Sequence, residues 1–288
     1  MGEIVLAAKI THVPSMFLSE QPGPHEGCRA EAIEGHREIG RRARAAGADT
    51  FVVLDTHWLA NSGYHINANA RHAGTYTSTE FPQLIRGLEF DHPGAPELGH
   101  AIARLATERG VRTLAHDDVP SLGLEYGTLV PMRYMNAVDR LDVLAISGWL
   151  NDATFEESRI VGQSIADAVA ASDRRVALLA SGSLSHRIWP NAETETGMFE
   201  VSRPFNEHVD RMVLDLWTAG RLAEFVALLP DYAEHCSGEG HMHDTAMLLG
   251  ALGWDAYWEP AEIVTGWFPS SGTGQCNVVF PIPGPPTP

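Results

Sequence analysis

The chain is short of cysteine, of cations and of long apolar runs, and each shortage argues against a class of function. Cys28, Cys236 and Cys276 are its three cysteines, widely spaced and free of any C-x-x-C pair. Neither a disulfide framework nor a zinc ribbon is expected from them, and a reducing cytoplasm fits. Lys and Arg together number 20 against 37 Asp and Glu, a formal charge of -17. Most of such a surface repels phosphate backbones and anionic membranes, so nucleic acid is not an expected partner. No apolar run approaches the length of a bilayer span, and "MGEIVLAAKITHVP" lacks the basic and apolar regions of a signal peptide, so no membrane association is expected.

What is present is the material of a large α/β domain. With 288 residues, 44% of them hydrophobic, the chain can bury a full core. "EIVLAAKI" (3–10), "TFVVLD" (50–55), "LDVLAIS" (141–147) and "RVALLAS" (175–181) have the length and composition of buried strands. Between and after them, helical periodicity is read over 26–47, 96–109, 155–171, 204–228 and 242–252, with Gly47 placed to stop the first. Strands separated by helices predict a single α/β domain built on a central parallel or mixed β-sheet flanked by helices on both faces. That domain is expected over 1–283. The Pro-rich tail at 284–288 suits neither helix nor central strand.

The strand ends carry the chemistry. "AAKI" runs into Thr11 and His12, "VVLD" into Thr56 and His57, and "ALLAS" into "GSLSHR" with His186. In open α/β sheets ligands bind beyond the carboxyl ends of the strands, where loops converge side chains on one point. Three histidines reach that edge. A fourth cluster is "SGEGHMHDTAMLLGALG" (237–253). Glu239 stands between Gly238 and Gly240, a setting that suits unusual dihedrals and an inward-aimed carboxylate. His243 and Asp244 follow as an apolar helix begins, and for Asp244 a helix N-terminal role is the expected one. Two imidazoles and one carboxylate from distant segments make the facial triad that leaves coordination positions open on non-haem Fe(II). A zinc hydrolase uses the same ligand types, so residue type alone leaves the metal open. A serine hydrolase reading of "GSLSHR" is weaker, because the stretch departs from G-x-S-x-G and sets His186 beside Ser185.

Taken together, "AAKITHVPSM", "LDTHWL", "PSLGLEYGTLVPMRYMN", "ASGSLSHR", "GEGHMHDTAMLLGALGW" and "FPSSGTGQ" resemble the class III (LigB-type) extradiol ring-cleavage dioxygenases, most closely the homoprotocatechuate (3,4-dihydroxyphenylacetate) branch. The likeness runs from Ile4 to Pro283. It implies His12, His57 and Glu239 as ligands of Fe(II), with Mn(II) as the alternative metal, and His186 as the acid/base histidine. It implies O2 as co-substrate, a catechol as the small-molecule substrate and a homo-oligomer. Asp55, Thr56 and His243 are expected to support the ligands. One departure stands out: many relatives carry Asp-His-Gly where this chain has Glu125, Tyr126 and Gly127. Tyr126 is therefore the candidate for the second catalytic position, with His116 in "LAHDDVPS" as its rival. For an arylacetate carboxylate, Arg133, Arg187 and the Ser271 loop are the candidate donors. The implied reaction is extradiol cleavage of 3,4-dihydroxyphenylacetate to 5-carboxymethyl-2-hydroxymuconate semialdehyde. Other catechols, 2-aminophenol, a metal-dependent hydrolysis and an inactive partner subunit are the alternatives.

Overall fold

The computed structural model of the chain describes residues 1–119, 121–193 and 197–282. In chain order its elements are β1 (Glu3–Ile10), the single turn α1 (Ser15–Leu18), α2 (Ala30–Ala45), β2 (Thr50–Ala60), β3 (Tyr64–Asn67), β4 (Arg71–Tyr76) and β5 (Leu88–Pro93). There follow α3 (Pro96–Glu108), β6 (Thr113–His116), α4 (Tyr126–Met135), β7 (Asp142–Leu150), α5 (Phe155–Ala170) and β8 (Arg175–Ser181). The chain closes with α6 (Pro204–Thr218), α7 (Leu222–His235), α8 (His243–Leu252), β9 (Glu262–Ser270) and β10 (Thr273–Phe280). The Pro-rich tail at 284–288 lies outside the described residues.

Period-two alternation on the inner strands builds two cores. On β2, Val52 and Leu54 face one side and Phe51 and Val53 the other; on β8, Leu178 and Ala180 oppose Ala177 and Leu179. The first face packs against α3, α5, α6, α7 and α8, the second against α2 and α4. A sheet covered on both sides explains why these strands read as continuous apolar runs. The sheet has eight strands in the order β6-β3-β7-β2-β8-β1-β10-β9. β7, β2, β8 and β1 are mutually parallel where they pair, whereas β3 joins β7 and β10 joins β1 antiparallel. The expected mixed sheet is therefore present, with β4 and β5 forming a separate two-stranded ribbon.

Three boundaries differ from the sequence expectation. The first long helix starts at Ala30, after Cys28, and stops at Gly47, whose φ of 77° is the left-handed geometry of a helix end. The 204–228 segment is two helices, because Gly220 at φ 67° turns the chain between α6 and α7. β2 continues to Ala60 past an irregularity between Asp55 and Leu59, and His57 sits inside it. Among the described residues no helix is long and apolar enough to cross a membrane.

Parallel β1, β2 and β8 end at one edge of the sheet, and antiparallel β10 begins there. Thr11 Oγ1 donates to Gln275 Oε1 at 2.6 Å, so the strand that follows the "SSGTGQ" loop is tied to the start of the His12 loop. Four segments distant in sequence thus deliver their side chains to one place.

Candidate metal centre and active site

His12 leaves the end of β1, His57 the irregular part of β2, and Glu239 a tight turn before α8. The turn is unusual: Gly240, His241 and Met242 have φ of 54°, 57° and 64° in succession. Glycine is required at 240 less for this φ, which His241 and Met242 share, than because a Cβ there would lie 2.7 Å from the Gly148 carbonyl oxygen. At 238 the backbone is ordinary, but a Cβ would strike Met242 Cγ at 2.4 Å. The two glycines let Glu239 descend to the sheet edge, where it is 1% exposed.

His12 Nε2 is 3.2 Å and His57 Nε2 3.4 Å from Glu239 Oε1. The three ligand atoms lie within 4.8 Å of one another. Donor atoms about 2.1 Å from a divalent ion at right angles are separated by roughly 3 Å, so the three groups fit a metal on one face of its coordination sphere. Hydrogen bonds orient them for it. Ser181 Oγ donates to Gly127 O at 2.5 Å and therefore accepts from His12 Nδ1 at 3.1 Å, leaving Nε2 bare toward the site. Glu239 Oε2 accepts from Ser183 N at 2.5 Å and from Ser183 Oγ at 2.6 Å. Thr56 Oγ1 lies 2.8 Å from Glu239 Oε1 and 2.9 Å from Ser181 O. Burial works to raise the Glu239 pKa, but facing His186 and His12 overrule it and hold the carboxyl well below its usual range. Asp55 acts on the backbone: Oδ1 accepts from His57 N at 2.8 Å and Oδ2 from Thr128 Oγ1 at 2.6 Å.

His186 stands beside the triad, its Nδ1 2.7 Å from Ser183 Oγ and 3.4 Å from Glu239 Oε2. Because the Ser183 hydroxyl donates to Glu239, His186 Nδ1 is the donor to Ser183, and its Nε2 is left as a proton acceptor. Burial is the largest influence on His186 and lowers its pKa, with Glu239 opposing. The Ser185 hydroxyl, by contrast, donates to buried Asp210 at 2.8 Å, which removes it as a nucleophile for His186.

Tyr126 packs its ring 3.7 Å from that of His57, centroid to centroid, and its hydroxyl donates to Glu80 Oε2 at 3.1 Å. Burial and then Glu80 push its pKa far above that of free phenol, so it is a hydrogen-bond donor and not a proton shuttle near neutrality. Glu80 also lies 3.6 Å from His57 Nδ1, a relationship that no local pattern in "TSTEFPQ" announces.

A cavity of about 640 Å³, counting its open mouth, is lined by His12, His57, Glu80, Tyr126, His186 and Glu239 on its polar floor and by Val13, Pro14, Phe81, Leu84, Ile188 and Met198 around it. Ser15, Ser270, Ser271, Thr273 and Gln275 complete the wall, so the Ser271 loop reaches the site.

Four other candidates fall elsewhere. Arg133 is outside the cavity wall and pairs with Glu20, Nε to Oε2 at 2.8 Å, because its position on α4 points it away from the strand ends. Arg187 is exposed and also absent from that wall. His116, on edge strand β6, is engaged with His65, Nε2 to Nδ1 at 2.8 Å. His243 bonds Ser158 Oγ through Nδ1 at 2.8 Å, and Ser158 in turn meets Tyr64, so it supports α5 and not the ligands. Asp244 is no helix cap: it is fully buried and pairs with Lys9 at 2.5 Å.

The family pattern described as "Catalytic LigB subunit of aromatic ring-opening dioxygenase" matches residues 6–281. The chain is 52% identical over 257 residues to a 3,4-dihydroxyphenylacetate 2,3-dioxygenase of Escherichia coli, covering 89% of this chain and 93% of that protein. It is 25% identical over 256 residues to the 2-aminophenol 1,6-dioxygenase beta subunit of a Pseudomonas species, covering 83% and 82%. A crystal structure of an uncharacterized Escherichia coli K12 protein shares the fold, with a TM-score of 0.61 at 18% identity over 96% of this chain and 99% of that one.

Proposed function

The chain belongs to the LigB family of aromatic ring-opening dioxygenases, and from that premise we infer that it cleaves 3,4-dihydroxyphenylacetate on the extradiol side with O2. The product is 5-carboxymethyl-2-hydroxymuconate semialdehyde. The metal-dependent hydrolase reading gives way, because the family and the 52% identical relative are both dioxygenases. A single observation supports the chemistry most directly: His12 Nε2, His57 Nε2 and Glu239 Oε1 converge on one point at the floor of a cavity with an apolar surround.

His12, His57 and Glu239 would hold the metal, which we assign as Fe(II) because two imidazoles and one carboxylate suit it and the chain's family is one of dioxygenases, a chemistry that zinc does not support. When bound, such an ion brings catechol and dioxygen into contact and conducts electron density between them. The protein's own groups handle the protons and the fit. His186 Nε2, bare and held by the Nδ1 bond to Ser183, accepts a catechol hydroxyl proton and returns it at ring opening. Tyr126 keeps the His57 ring in place and Glu80 holds the phenol hydroxyl. Val13, Pro14, Phe81 and Leu84 cover the aromatic ring and exclude water. A cytoplasmic setting belongs to this reading and rests on three cysteines that are all free thiols.

The test is anaerobic titration of the iron-loaded protein with 3,4-dihydroxyphenylacetate, followed by admission of oxygen. Stoichiometric oxygen uptake with the ring-opened semialdehyde is expected. Intradiol product, or none, would overturn the reading.

A further inference from the structure

The proposed substrate brings a carboxylate into a cavity that already holds Glu80 and Glu239, inside a protein of net charge -17. Among the described residues no lysine or arginine lines that cavity. One cation nevertheless lies directly behind its wall. Arg29 is 6% exposed, and no carboxylate among the described residues pairs with it. Its guanidinium is held between the rings of Phe199 and Phe268, at 4.9 and 5.0 Å. Its Nε donates to Ser15 Oγ at 2.9 Å, Nη1 to Pro269 O at 3.1 Å and Nη2 to Met198 O at 3.2 Å. Ser15, Met198 and Ser270, the residue after Pro269, all face the cavity.

A buried guanidinium bonded only to neutral groups is costly, because desolvation is not offset by an opposite charge. Three carbonyl or hydroxyl bonds use three of its five N–H groups. The Ser15 hydroxyl accepts from Arg29, and its own proton meets no acceptor among the described residues. We propose that Ser15, polarised by Arg29 behind it, reads the carboxylate of the arylacetate substrate, with Arg29 supplying the compensating charge through the wall. This inference rests on the substrate reading above. It also gives Arg133 and Arg187 no part in that recognition. Ser15 touches the substrate, and Arg29 acts through Ser15 as a positioning and charge residue.

An arginine that merely stapled three cavity walls together would, on removal, damage every substrate alike. The experiment therefore compares 3,4-dihydroxyphenylacetate with neutral 4-methylcatechol on iron-loaded wild type, Ser15→Ala and Arg29→Met. In Ser15→Ala the ratio of the two kcat/KM values is expected to fall roughly ten- to a hundredfold, the range of a hydrogen bond to a charged group, with the change concentrated in the arylacetate KM. Arg29→Met is expected to lower the same ratio at least as far; should it fail to fold, Ser15→Ala decides alone. A wild-type preference for the arylacetate that Ser15→Ala keeps in full overturns the inference and leaves the substrate reading standing. Wild type with no such preference overturns the substrate reading, and this inference with it.

Discussion

Ser183 Oγ lies 2.7 Å from His186 Nδ1 and simultaneously donates to Glu239, so one hydroxyl joins the proton-handling histidine to the metal-holding carboxylate. Replacing Ser183 by Ala frees the His186 ring to rotate and leaves Glu239 Oε2 with the backbone N–H of residue 183 alone. Activity is expected to fall roughly 10–100-fold, the usual cost of losing an outer hydrogen-bond partner of a ligand. Metal content after dialysis should fall with it. His186→Gln separates the two roles: it should retain metal while kcat drops roughly 10²–10⁴-fold, the range for a positioned acid/base. Parallel loss of metal in His186→Gln would move that residue into the ligand set.

The ligands themselves make a sharper demand. His57→Ala or Glu239→Ala removes one of three groups whose donor atoms lie within 4.8 Å of one another. Each is expected to lose bound iron and ring-cleavage activity together, measured by metal analysis of anaerobically purified protein and by oxygen uptake. A variant that kept full activity would be struck from the triad.

Tyr126 invites a graded test. Its ring contacts His57 while its hydroxyl is occupied by Glu80. Tyr126→Phe keeps the ring and should stay within about tenfold of wild type in kcat, since a single hydrogen bond is worth about 1 kcal/mol. Tyr126→Ala removes the wall that fixes His57 and should weaken metal binding as well. If Phe proved as damaging as Ala, the hydroxyl would have a direct role in the reaction.

These residues differ in how visibly the sequence carried them. His12, His57 and His186 were legible because each follows an apolar run that can only be a buried strand, and parallel strands deliver their ends to one edge. Glu239 was legible from its flanking glycines, although the close approaches they answer to, of residue 240 to Gly148 O and of residue 238 to Met242, exist only in the folded chain. Glu80 and Arg29 carried no such mark: one sits in a polar loop and the other just before a helix, and their relation to the cavity exists only in the tertiary structure. The two arginines chosen instead were near in sequence to site residues, but α4 turns Arg133 toward Glu20 and the loop leaves Arg187 in solvent. Short strands such as β3 and β6 escaped because four residues hold too little periodicity to separate from a turn. The α6–α7 break escaped because apolar periodicity continues across Gly220.

Lys9 is the chain's only lysine, and it is fully buried against Asp244 at 2.5 Å. Asp244→Asn leaves the ammonium buried without its counter-charge and should destabilise the fold by about 3–5 kcal/mol in denaturant unfolding. Replacing both partners, Lys9→Met with Asp244→Leu, removes the two desolvation costs together and should recover most of that loss. If single and double variants were equally unstable, packing and not charge would be the controlling factor at this position.

Part of the stability toward acid follows from buried imidazoles, His36, His92 and His243 among them. Burial holds His36 down to about 3 and His243 down to about 4. An unfolded histidine binds its proton below about pH 6.5, so under that pH the unfolded chain takes up protons that the folded chain refuses. The contribution is therefore fully present above about pH 6.5 and is lost as pH falls toward 4 for His243 and toward 3 for His36. The expected slope is about 1.4 kcal/mol per pH unit for each histidine. Denaturant unfolding at pH 7, 6 and 5 should show stability declining with acidity, and His243→Gln should make the decline shallower by one histidine's share. A slope unchanged in His243→Gln would mean that this imidazole is protonated in the folded state and that its bond to Ser158 does not depend on the neutral ring.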